Sequence, residues 1–94
     1  MTKVLWTKPA FVDLQSIKEY IARDSIYYAE KFTKDIINAT ERLSQFPKSG
    51  RIVPEIGEEN TREIIYGSYR IMYQIRQDAI YITQVTHGKR DFNK

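Results

Sequence analysis

A glutamate at position 55, an arginine at 70 and the chain's only histidine at 87 are the side chains in this sequence best suited to acid–base chemistry. Arginine can grip a phosphate through two parallel hydrogen bonds. Imidazole can take or give a proton near neutral pH, and a carboxylate can act as a base. Together such a set could cleave RNA: a base activates the 2′-hydroxyl, Arg70 stabilises the charged phosphorane, and His87 protonates the leaving 5′-oxygen. Glu55 is the best-placed carboxylate by sequence order, and Glu63 is its competitor. Arg51, Arg62, Lys89 and Arg90 are positioned along the chain to hold flanking phosphates. The opposing reading is structural, because a histidine at a strand end and an arginine in an exposed strand often serve only solubility.

Which faces these residues share depends on the strands that carry them. The segments "REIIY", "YRIMYQIR" and "AIYITQVTH" alternate with period two. Gly67-Ser68 and Gln77-Asp78 fit two-residue hairpin turns between them. That register sets Tyr66 opposite Tyr69, Ile64 opposite Ile71, Tyr73 opposite Ile82 and Arg70 opposite Val85. One face then collects Ile64, Tyr66, Ile71, Tyr73, Ile75, Ile80 and Ile82 as core. The other collects Glu63, Ile65, Arg70, Met72, Tyr81, Val85 and His87, with His87 diagonal to Arg70. On such an uncovered face, substitutions of Arg70 or His87 are expected to shift stability by only about half a kcal/mol.

Ahead of the strands lie two helical stripes. "KVLW", Lys3 to Trp6, predicts a first or edge strand. Thr7 can cap a helix over about residues 8–23, with Pro9 in its first turn and Ala10, Leu14, Ile17 and Ile21 on one face, widened by Phe11. Asp24 or Ser25 can cap a second helix carrying Ala29, Phe32, Ile36, Ala39, Leu43 and Phe46, ended by Pro47 and Gly50. So short a break folds the two back as an antiparallel hairpin. "GRIVPEIGEENT" is turn-rich, and Pro54 excludes a central strand. The expected class is α+β: an N-terminal strand, an antiparallel helix hairpin, then a three-stranded antiparallel meander packed on the helices.

Composition bounds the rest. Ninety-four residues fit one domain, 1–94, and 41% apolar with 29% charged residues suits a folded soluble protein. The absence of cysteine leaves no thiolate site, and a single histidine argues against zinc; no metal or cofactor is expected. No signal peptide or membrane span is visible, so a cytoplasmic location is expected. A net charge of +3 permits a nucleic acid or acidic partner without requiring either.

"PAFVDLQSIKEYIA", "FPKSGRIVPE", "TREIIYGSYRIMYQI" and, most specifically, "VTHGKRD" closing the last strand resemble the RelE/ParE superfamily of toxins from bacterial type II toxin–antitoxin systems. The resemblance spans nearly the whole chain. It implies a small growth-inhibiting, plasmid-stabilising toxin neutralised by a cognate antitoxin encoded beside it. An amphipathic antitoxin segment would cover Ile65, Met72, Tyr81 and Val85. RelE-type members are ribosome-dependent mRNA endonucleases, or mRNA interferases, and ParE-type members poison DNA gyrase. The long helix hairpin, "FPKSGR" and "HGKRD" look more like the ParE branch. Glu55, Arg70 and His87 match an acid–base set of some RelE-type ribonucleases, and Arg62 resembles a further basic residue there. The departure is Gly88, where those enzymes usually carry an aromatic or basic side chain. Gyrase inhibition is the preferred expectation, an endoribonuclease acting on mRNA the alternative, and a degenerate member that only binds its antitoxin the third.

Overall fold

The computed structural model describes residues 2–88. Strand β1 (Val4–Trp6) leads into α1 (Lys8–Ala22) and α2 (Ile26–Glu41). Two 3₁₀ turns follow, then β2 (Arg51–Ile52), β3 (Thr61–Tyr66), β4 (Tyr69–Ile75) and β5 (Ile80–His87). The sheet has five strands in the order β1-β5-β4-β3-β2, with β1 parallel to β5 and the other pairs antiparallel. No described helix is long and apolar enough to cross a membrane.

The helix starts follow from local chemistry. Thr7 sits in extended backbone and its Oγ1 accepts from the Ala10 N–H, while the same hydroxyl donates to the Ile82 carbonyl. One side chain thereby satisfies an orphan helix donor and ties α1 to β5. Ser25 caps α2 in the same way, its Oγ accepting from the Tyr28 N–H. Asp24, the other expected cap, does not take that position.

The core lies between the helix hairpin and one sheet face. Ala10 and Leu14 of α1, Phe32 and Ile36 of α2, and Leu43 pack with Ile71, Tyr73, Ile80, Ile82 and Val85. Ile36, Ile71, Ile80 and Ile82 are fully buried, each contributing about 1.5–3 kcal/mol. Two aromatic residues of the expected stripes are not in the core: Phe11 is 51% and Phe46 62% exposed. Phe46 fails because α2 ends at Glu41 and tightens into 3₁₀ geometry, which breaks the helical period before it reaches that residue. Tyr73 closes this end of the core. Its hydroxyl accepts from the Gly50 N–H and donates to the Pro47 carbonyl, and a Cβ on Gly50 would lie 2.6 Å from that hydroxyl. Glycine is required there by contact.

Both hairpin turns lie where the sequence puts them. Gly67 takes φ +57°, and Ile75 pairs with Ile80 across Gln77-Asp78. The expected register holds across β3–β4 and for the first half of β4–β5. It then breaks. A β-bulge between Met72 and Tyr73 leaves Tyr73 opposite Ile82 but Met72 opposite Gln84, so Ile71 faces Val85 and Arg70 faces Thr86. One extra residue on β5 exchanges the faces of everything after it. Val85 is therefore a core residue, 3% exposed, and not part of an open surface.

Candidate charged site at the β3–β4 end of the sheet

The second sheet face, expected to be open, is closed at its centre. Glu63, Arg70 and Met72 are 1%, 5% and 3% exposed. The segment from Val53 to Asn60 connects β2 to β3 and carries Glu55 across to Arg70. Met72 is thus unavailable as an exposed antitoxin contact. Ile65 (49% exposed) and the half-buried Tyr81 remain at the surface.

Four charges alternate in a chain. Arg51 Nε donates to Glu63 Oε2 at 2.6 Å, and Arg70 Nε donates to Glu63 Oε1 at 2.7 Å. Arg70 Nη1 and Nη2 then fork onto the two oxygens of Glu55 at 2.8 and 2.7 Å. The Glu63 side chain has no exposed surface, and its burial is offset by the arginine on each side. The Arg70 hydrogen bonds push the Glu55 carboxyl down to about 2, and the Glu55 carboxylate in turn raises Arg70. A carboxylate held so low is a poor proton acceptor at neutral pH.

His87 reaches the site from the end of β5. It pairs with Tyr69 rather than lying diagonal to Arg70, and its ring meets the Tyr69 ring edge-on at 5.6 Å. Tyr69 is itself edge-on to Phe32 at 5.1 Å, so aromatic packing runs from the core out to the histidine. An open pocket of about 470 Å³ still brings the three sequence-selected residues together, with Glu55, Arg70 and His87 on its lining beside Arg51, Ile65 and Tyr69.

The remaining expectations divide. Arg62 faces the helix side, opposite Tyr73, and its guanidinium donates to the carbonyls of Lys48, Gly50 and Glu59. It stitches loops together and does not line the pocket. Lys89 and Arg90 lie outside the described residues. Glu63, entertained as a base, is walled in. The contribution of Tyr69 was missed, because only the bulge sets it opposite His87. Among the described residues no cluster of His, Asp or Glu could hold a metal ion.

The low carboxyl of Glu55 predicts an acid limb in the stability curve. A depressed folded-state value makes the ion pair's contribution complete above the ordinary 4.5 and lost as pH falls towards 2. Unfolding measured from pH 6 to pH 2 is expected to lose stability through that window. Glu55→Gln should flatten this part of the curve, and an unchanged limb would remove Glu55 as its source.

The geometry can be set beside known proteins. The family model described as the ParE toxin of the type II toxin-antitoxin system parDE matches residues 4–92. Toxin RelE2 of Caulobacter vibrioides is 27% identical over 90 residues, covering 96% of this chain and 99% of that protein. The fold is shared with a chain of the chromosomal ParDE system of P. aeruginosa, with TM-score 0.76 and 21% identity over 93% of this chain and 96% of that one. It is shared also with a chain of the RelBE2 toxin–antitoxin complex of Mycobacterium tuberculosis, with TM-score 0.63 and 22% identity over 92% and 96%. The match over residues 4–92, on a fold of helix hairpin and five-stranded sheet, makes this chain a member of the ParE toxin family of type II toxin–antitoxin systems, within the RelE/ParE superfamily.

Proposed function

We propose that this toxin inhibits DNA gyrase by protein–protein contact and does not cleave nucleic acid. The observation that carries the reading is the state of its acid–base set. Three donors of Arg70 are spent on two carboxylates, and Glu55 is held near 2 by that same arginine. A ribonuclease needs the opposite arrangement, with a base near the operating pH and an arginine fork turned to substrate. The match to the ParE family model supports the same branch.

One observation favours the alternative, a ribosome-dependent mRNA endoribonuclease: Glu55, Arg70 and His87 do line one pocket. Purified protein separates the two. The expected result is lost supercoiling by gyrase with cleaved DNA trapped, while message on ribosomes stays intact. Codon-specific cuts in the ribosomal A site, with gyrase unaffected, would overturn the gyrase reading. A cognate antitoxin as partner and a cytoplasmic setting belong to the same proposal. They are supported by the family and by the toxin–antitoxin systems to which the two structural relatives belong.

A further inference from the structure

Arg70 is built like a receptor whose ligand happens to be part of the same chain. Its guanidinium is oriented from behind, with Nε fixed by Glu63 and Glu63 fixed by Arg51. The forward pair, Nη1 and Nη2, meets both oxygens of Glu55, the geometry in which arginine recognises a carboxylate most selectively. The two partners are unequally held. The Arg70 side chain is 6% exposed within the sheet, whereas that of Glu55 is 28% exposed on a connecting segment whose residues from Pro54 to Asn60 are all exposed. If either moves, it is Glu55.

We propose that the Arg70 fork receives a carboxylate from an acidic segment of a protein partner, and that Glu55 occupies the fork until that segment displaces it. Such an exchange replaces two charge-assisted hydrogen bonds with two of the same kind, so the contacts around the fork decide whether it proceeds. Those surroundings include apolar surface: Pro54, Ile65 and Tyr69 line the pocket beside Arg51, Ser68 and His87, and Ile65 is 49% exposed. They suit a segment in which hydrophobic residues flank a glutamate or aspartate. Charge points the same way. Among the described residues two arginines and two glutamates alternate, so release of Glu55 leaves that described chain one positive charge in excess, which one incoming carboxylate would balance. Among the described residues of the site, arginines and glutamates are equal in number, whereas a nucleic-acid strand would bring several phosphates. Carboxylate exchange at Arg70 is independent of which target the toxin has.

The test uses the full chain and three probes: acetyl-Leu-Glu-Ile-amide, its glutamine counterpart, and inorganic phosphate. Binding is followed by NMR through the backbone amide signals of Ile65 and Tyr69, which every variant retains and which also report that the variant is folded. Glu55→Gln is expected to bind the glutamate peptide about tenfold more tightly than the native chain does, because the internal competitor is gone. The glutamine peptide should fail to bind, and adding Arg70→Lys should abolish the gain, since an ammonium keeps the charge and loses the fork. Glu55→Ala, which removes the carboxylate by another route, must give the same ordering of probes. Equal binding of the two peptides, no gain in either Glu55 variant, or phosphate binding tighter than the glutamate peptide would each overturn the proposal.

Discussion

Arg70→Ala is expected to lower the unfolding free energy by about 3–5 kcal/mol, the cost of leaving a buried charge without its partner. The charge is Glu63, whose side chain has no exposed surface and whose remaining described partner, Arg51, is 59% exposed. For a domain of this size the melting temperature should fall by roughly 15–30 °C. An uncovered sheet face would have implied about half a kcal/mol; the disagreement comes from the burial of Arg70 and Glu63 and from the ion pairs that join them. Replacing both members of the pair, as in Arg70→Met with Glu63→Leu, should recover most of the loss, because the desolvated carboxylate is then removed with its partner. Urea unfolding of the native chain and both variants measures this. A single variant melting within a few degrees of the native chain would show that the alternating charges contribute no stability. The consequence for function is direct. A growth assay of Arg70→Ala reports folding before it reports chemistry, so loss of toxicity in that variant says nothing about an active site.

The legible parts of the molecule are those that local chemistry determines. Apolar spacing marks α1 and α2, Thr7 supplies a cap, and Gly67 supplies positive φ at the β3–β4 turn. Three features depended on contacts between distant segments and left no comparable mark. Thr83 and its neighbours contain no glycine to announce a bulge, so alternation carried straight through predicts the wrong face for Val85 and the wrong partner for His87. Strand β2 is two residues long and lies directly before Val53-Pro54, too short for any periodicity to show. The Glu55 connection looks like an exposed acidic turn, and neither its closure onto Arg70 nor the burial of Glu63 and Met72 shows in the alternation of the strands. The site was therefore legible as a list of residues and illegible as an arrangement. Glu55 and Arg70 meet, but as an ion pair.

His87→Gln distinguishes contact from catalysis where Arg70→Ala cannot. His87 is exposed, ends β5, and packs its ring edge-on to Tyr69, so a side chain of similar reach should leave stability within about half a kcal/mol. If the pocket cleaved message, loss of the proton donor would cost about 10²–10⁴ in rate. Growth inhibition would then collapse with no change in the melt. On the gyrase reading the imidazole transfers no proton, and toxicity is expected to stay near native. Histidine at this position is also part of a packed aromatic series, so His87→Ala serves as the second variant: it removes the contact with Tyr69 as well as the proton. Full toxicity in both, from folded protein, excludes acid–base chemistry at His87. Full toxicity in His87→Gln with loss in His87→Ala makes the residue a contact of the poisoning surface. Loss in both, accompanied by cleaved message in the ribosomal assay, would establish the endoribonuclease instead. That outcome would require Glu55 to leave Arg70 before the reaction, since the pair as it stands presents neither a base nor an open fork.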